Sequence, residues 1–207
     1  PATEYVYPLG RLVRRGDTCI DIGANLGYYA RTISRLTGPE GRVYAVEPVE
    51  PIRCVLERNL RRCRNVEILP YALGTESRKV TMGNDSARET GYFGTGQNFV
   101  NDSGRQTDTA FTAEMRRGSE LFARLERLDF IKIKCDIEGY EVVVMHEIQP
   151  LLERFRPTVL IETGGANRPE IIRLFTGLGY AGYTLEHGRE VPLTEDSTKD
   201  IIFRHAH

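Results

Sequence analysis

The chain of 207 residues contains no apolar run approaching the roughly 18 residues that a membrane-spanning helix requires, which sets aside a helical membrane protein. Net charge is nearly absent as well. A formal charge of −1 provides no overall field to gather nucleic acid or an anionic membrane, so neither is expected as a partner. Cysteine is sparse: Cys19, Cys54, Cys63 and Cys135 lack metal-type spacing, and Cys19 and Cys135 fall in runs expected to be buried strands. Reduced thiols in a cytoplasmic protein are the expectation. The opening Pro-Ala-Thr-Glu-Tyr does not read as a signal peptide, and there is no internal repeat. What is present, 40% apolar residues over this length, suffices for the core of one domain spanning residues 1–207.

The chain is organised around residues 19–30, Cys-Ile-Asp-Ile-Gly-Ala-Asn-Leu-Gly-Tyr-Tyr-Ala. Cys19, Ile20 and Ile22 suit a buried strand, while Tyr29, Ile33 and Leu36 recur on one helix face. Between them runs Asp21-x-Gly23-x-Asn25-x-Gly27. Glycine serves where backbone takes positive φ or passes close to a ligand, so Gly23 and Gly27 leave room for one, and Asp21 sets an acceptor beside it. The dinucleotide fingerprint G-x-G-x-x-G, which holds a pyrophosphate on a helix N-terminus, is missing, because Asn25 stands where its second glycine would be. A nicotinamide-dependent oxidoreductase fails on this point. An acid ahead of the glycines and a polar turn suit a ligand with an ammonium group and no phosphate, which points to S-adenosylmethionine.

A second acid strengthens that reading. Arg42-Val-Tyr-Ala-Val-Glu-Pro48 places Glu47 at a strand end, about 20 residues past the glycines, where a carboxylate can accept from both ribose hydroxyls. The turn residues Ala24 and Asn25, together with Pro48, complete this side of the candidate site.

Downstream, Gly38-Pro39 stops the first helix, and Pro51 opens a second with Ile52, Val55, Leu56 and Leu60 on its apolar face. The cluster Arg61-Arg62-Cys63-Arg64 reads as a solvated helix end rather than a nucleic-acid patch. Val66-Glu-Ile-Leu is a third strand, and its exit at Tyr71, Ala72 and Leu73 is where an adenine ring could rest. From Glu76 to Arg117 the alternation breaks down, apart from a short strand at residues 79–82; segment 75–118 is expected to be a substrate-side insertion. Ser119 is expected to cap a helix carrying Leu121, Leu125 and Leu128. Phe130-Ile-Lys-Ile-Lys-Cys is a fourth strand, ending at Asp136-Ile-Glu138, and His146, in the helix after it, is expected to be exposed or structural. A fifth strand ends at Glu162, a helix with Ile171, Leu174, Phe175 and Leu178 inward follows, and two last strands are close enough to pair as a hairpin.

Alternating strands and helices predict an α/β fold with helices on both faces of a mostly parallel sheet and ligands at the strand carboxyl ends. Asp21, Glu47, Asp136 and Glu162 all fall at such ends. Glu162 is also readable as a helix N-cap.

Three blocks carry a family resemblance: Asp21-Ile-Gly-Ala-Asn-Leu-Gly-Tyr-Tyr, Gly41-Arg-Val-Tyr-Ala-Val-Glu-Pro, and Lys132-Ile-Lys-Cys-Asp-Ile-Glu-Gly-Tyr-Glu. Together they resemble the FkbM family of S-adenosylmethionine-dependent methyltransferases, and the third block is the most specific. The resemblance implies a Rossmann-like class I methyltransferase with a seven-stranded sheet and a C-terminal antiparallel hairpin, residues 16–74 forming the cofactor half and 119–207 completing the sheet. It implies that Asp21, Gly23 and Gly27 cradle the methionine end, that Glu47 takes the ribose, and that Ala72 and Leu73 border the adenine. Many members are thought to methylate hydroxyls, so a small-molecule or glycan acceptor is expected. Asp136 is the candidate base, with Glu138 supporting it. A divalent metal held by paired acids is not favoured. The competing expectation from another class is a module that keeps the cofactor fold and does no chemistry.

Overall fold

The computed structural model describes residues 9–87, 93–134, 141–163, 165–194, 197 and 199–206. Residues 9–12 form one helical turn, and the elements then run β1 (Thr18–Ile22), α1 (Tyr28–Thr37), β2 (Arg42–Val46), α2 (Glu50–Leu60) and β3 (Val66–Leu69). A second group comprises β4 (Tyr71–Leu73), β5 (Arg78–Asn84), β6 (Asn98–Val100) and β7 (Thr109–Arg116). The remainder is α3 (Gly118–Leu121), β8 (Phe130–Lys134), α4 (Glu141–Phe155), β9 (Thr158–Glu162), a 3-10 turn (Gly165–Asn167), α5 (Arg168–Gly177), β10 (Tyr180–Glu186), β11 (Arg189–Pro192) and β12 (Asp200–His205).

The main sheet has the order β11-β10-β12-β9-β8-β1-β2-β3. Five strands from β9 to β3 are parallel, and β12 enters antiparallel between β9 and β10. The expected terminal pair is therefore present, with Tyr180 opposite His205, and β11 adds an eighth strand at the edge. Strand alternation sorts side chains to two faces. Ile20, Ile22, Ile131, Ile133 and Ile161 pack against Met145, Ile148 and Leu152 of α4 and Phe175 of α5. Cys19, Val43, Phe130 and Leu160 pack on the other face against Ile33 of α1 and Leu9, Leu12 and Val13. Asp21 shares its face with Cys19, so an acid sits inside an apolar layer.

The smaller sheet, β4-β7-β5-β6, occupies the segment where only one short strand was expected. Its ladder runs from Arg78 opposite Met115 to Asn84 opposite Thr109. Val80, Met82, Ala113 and Met115 turn inward onto Val49 and Ile52 at the start of α2. The expected helix at Ser119 shrinks to the four residues of α3. Ser119 Oγ donates to Glu147 Oε1 at 2.6 Å instead of capping, and the chain turns at 122–124 so that Leu121, Leu125 and Leu128 reach the core without continuing a helix.

Candidate functional site

The carboxyl ends of β1, β2 and β8 face the smaller sheet across a cleft lined by Gly23, Asn25, Glu47, Pro48, Met82 and Lys134. Behind Pro48 a recess continues between Tyr71, Ala72 and Leu73. Of the residues singled out in the sequence, Gly23, Asn25, Glu47 and Pro48 line the cleft, and Ala72 and Leu73 line the recess. Asp21, Ala24 and Gly27 lie buried behind this surface. Asp136 and Glu138 fall outside the described residues. His146 is exposed, with Nε2 3.9 Å from Glu170 Oε1.

The turn owes its shape to three positive backbone angles: Gly23 (φ 74), Asn25 (φ 51) and Gly27 (φ 86). Gly23 N and Ala24 N donate to Val46 O at 3.1 and 2.9 Å, tying the turn to the end of β2. Each glycine also has a packing reason. A Cβ on Gly23 would lie 2.1 Å from Lys134 O, and one on Gly27 would lie 2.6 Å from Leu56 Cδ1. Gly23 thus allows β8 to pass close, whereas Gly27 seats the start of α1 on α2. Asn59 Nδ2 donates to Leu26 O at 2.8 Å and fixes the turn from the α2 side.

Glu47, 5% exposed, is held from both sides. Its Oε2 accepts from Asn25 N at 3.0 Å and its Oε1 from Val49 N at 3.0 Å. Burial pushes its pKa up to about 7, against the opposing pull of those two amides. The carboxyl therefore stands near its titration point at neutral pH.

Two lysines escaped the sequence reading. Lys132 Nζ lies 3.3 Å from Asp21 Oδ1 and 4.3 Å from the centre of the Tyr29 ring, with Asp21 at 0% exposure and Lys132 at 4%. Burial raises the Asp21 pKa, and the lysine opposes that rise. The two buried side chains form an ion pair inside the fold. The signal was available: a lysine flanked by Ile131 and Ile133 in a buried strand requires a carboxylate partner. Lys134, next on the same strand face, borders both cleft and recess, and its Nζ lies 3.5 Å from Glu162 Oε2. Glu162 is therefore an ion-pair partner across the β8–β9 register. Asp200 sits opposite it, with its pKa raised by burial and then by the Glu162 charge.

The far wall of the cleft belongs to the smaller sheet. Thr95, Gly96 and Asn98 border it, braced by Asn84, whose Nδ2 donates to Gly94 O and Asn98 Oδ1 at 3.0 Å. Among the described residues no group of three or more His, Cys, Asp or Glu is arranged to hold a metal ion, and no helix is long and apolar enough to cross a membrane.

A model of the methyltransferase FkbM domain matches residues 21–183. The chain belongs to the FkbM methyltransferase family. Its fold is that of class I S-adenosylmethionine-dependent methyltransferases, and S-adenosylmethionine is the cofactor of the family. The chain is 36% identical over 52 residues to a protein-L-isoaspartate O-methyltransferase of Methanothrix thermoacetophila, a stretch covering 25% of each protein. The curated relatives are matched over only 23% to 30% of their length. Among solved structures, the Geobacter metallireducens precorrin-6y C5,15-methyltransferase aligns with TM-score 0.54 at 12% identity, over 97% of this chain and 83% of that one. The Aeropyrum pernix fibrillarin, solved with natively bound S-adenosyl-L-methionine, aligns with TM-score 0.53 at 14% identity, over 98% and 74%. These likenesses carry the fold and leave the acceptor open.

Proposed function

We propose that this FkbM domain transfers a methyl group from S-adenosylmethionine to a hydroxyl on a small molecule or sugar. The observation that carries the reading is Glu47, a buried carboxyl fixed by two backbone amides on the wall of the cleft. The buried acceptors nearby fit the same ligand. Asn25 Oδ1, on the cleft wall, is buried without a hydrogen-bond partner, and the Asp21 carboxylate, ion-paired with Lys132, adds its charge behind the turn. A ligand bearing an ammonium, a sulfonium and two ribose hydroxyls brings positive charge and donors to a surface rich in acceptors. A pyrophosphate would meet carboxylates there instead.

On this reading Glu47 accepts from the ribose hydroxyls, the turn at residues 23–27 takes the methionine end with Asp21 behind it, and Ala72 and Leu73 border the adenine. Bound there, the cofactor supplies a methyl group activated by its positive sulfur. The protein aligns the acceptor oxygen and excludes water. Segment 75–118 forms the acceptor side, where Thr95 and Asn98 offer hydroxyl and amide groups suited to a hydroxylated molecule. Asp136 takes the acceptor proton, and Glu138 supports it.

Calorimetric titration with S-adenosylmethionine, S-adenosylhomocysteine and NAD tests the cofactor half of the reading. The expected result is micromolar binding of the first two, none of NAD, and at least tenfold weaker binding by Glu47→Ala. Absence of binding to either sulfur ligand overturns it. Release of S-adenosylhomocysteine in a screen of hydroxylated metabolites then tests the acceptor class. Tight cofactor binding with no turnover on any of them would favour the non-catalytic module.

A further inference from the structure

The charge balance of the whole chain conceals a segregated surface. A groove of about 740 Å³ runs between the length of α1 and the C-terminal end of α2 with the loop after it, lined by Arg31, Arg35, Arg58, Arg61, Arg62 and Arg64. Sequence reading placed only the last three together, because Arg31 and Arg35 come from another helix. All six are exposed, and none makes an ion pair with a carboxylate among the described residues. Neighbouring arginines do find partners: Arg53 pairs with Glu57 at 3.2 Å, and Arg42 lies 4.0 Å from Glu67.

Favourable placement at helix C-termini accounts for a cation or two in each last turn. It does not account for six on one concavity. The floor beneath them is fixed. Asn65 Oδ1 accepts from Ser34 Oγ at 2.6 Å, and Asn65 Nδ2 reaches Gly38 O at 2.8 Å and Thr37 Oγ1 at 3.1 Å, locking the loop after α2 to the end of α1. The guanidinium groups thus project from a preorganised base, and each offers the forked donors that match a phosphate.

We propose that this groove binds the phosphodiester backbone of a nucleic-acid duplex without reading its sequence. The lining contains no aromatic side chain on which an unpaired base could stack, so a single strand would find charge but no platform. It contains no large apolar side chain either, so a folded protein partner would have to be held by the arginines alone. A duplex keeps its bases stacked inside and presents phosphates alone. The groove shares no lining residue with the cleft or with the recess behind Pro48. The groove therefore holds the enzyme on a duplex and does not deliver the methyl acceptor.

The test is fluorescence anisotropy with a fluorescein-labelled 20-base-pair DNA duplex, titrated at several KCl concentrations. Wild type is expected to bind at 50 mM KCl, with a log–log salt slope of about −5 for six phosphate contacts. The triple variant Arg35→Gln/Arg61→Gln/Arg62→Gln is expected to bind more than tenfold more weakly and to lose about three from the slope. Thermal unfolding establishes that the variant is folded. If the triple variant does not fold, Arg61→Gln alone is expected to reduce the slope by about one. No binding at 50 mM KCl, or variants that bind like wild type, overturns the proposal. So does equal or tighter binding of the single strand, of polyglutamate, or of vesicles containing phosphatidylserine.

Discussion

Lys132 reaches Asp21 directly across the β1–β8 register, its Nζ 3.3 Å from Oδ1, in a layer where both side chains are closed off from water. Desolvating two charges is expensive, and the loss of one partner strands the other. Lys132→Met is therefore expected to destabilise the fold by about 3–5 kcal/mol in urea unfolding. The double variant Asp21→Asn/Lys132→Met should recover most of that loss. A double variant whose cost equals the sum of the two singles would show that the pair is not coupled.

Glu47 should make both stability and cofactor affinity depend on pH. Its folded pKa, about 7, lies above the ordinary carboxyl value of 4.5, so between these two the native state holds more protons than the unfolded chain. Stability from this group is complete below the lower value and is lost as pH rises through the upper one. Relative to Glu47→Ala, wild type should lose about 3 kcal/mol across that window, at 1.36 kcal/mol per pKa unit. Ligand hydroxyls favour the ionised form, so binding of S-adenosylhomocysteine should tighten from pH 6 to pH 8. It should also release a proton near pH 7, read by calorimetry in buffers of differing ionisation enthalpy, and the release should vanish in Glu47→Ala.

The two turn glycines should respond differently to alanine. Both carry positive φ, which costs a side-chain residue on the order of 1–2 kcal/mol. Gly23→Ala also drives its methyl into the Lys134 backbone carbonyl, which cannot move without shifting β8. Gly27→Ala meets the tip of Leu56, a side chain that can rotate. Gly23→Ala is thus expected to lose more stability and to abolish cofactor binding, whereas Gly27→Ala should be partly rescued by Leu56→Ala. Comparable thermal midpoints for the two single variants would contradict this order.

Much of the cofactor half was legible because short-range patterns determine it. Ile20, Ile22 and Ile33 fall at strand and helix spacing, and Gly23 to Gly27 can only be a turn. What was hidden depends on partners distant in sequence. The buried Lys132 has meaning only beside Asp21, 111 positions earlier. Strand β7 alternates, but its inward residues Ala113 and Met115 follow Thr109 and Phe111, which give no clear apolar face until β5 is paired with it. The helix expected at Ser119 stops after Leu121, and the Ser119 hydroxyl goes to Glu147 on another helix, a partner 28 positions away. The arginine groove was diluted in the same way by averaging charge over the whole chain.

Asp136 was read from its position at the end of the fourth strand, and its proposed role has a direct test. Asp136→Asn should lower kcat by about 10²–10⁴ and leave the affinity for S-adenosylhomocysteine unchanged, as removal of a proton acceptor does. Glu138→Gln should have a smaller effect. Near-normal turnover of Asp136→Asn would remove it from the chemistry.

Only Pro70 separates β3, the edge of the large sheet, from β4, the edge of the small one. The same three residues, Tyr71 to Leu73, are therefore a wall of the recess and a rail of the sheet that carries Thr95 and Asn98. A ligand in that recess would bear on Ala72 and Leu73 and, through the β4–β7 and β7–β5 ladders, on the strands of the opposite wall.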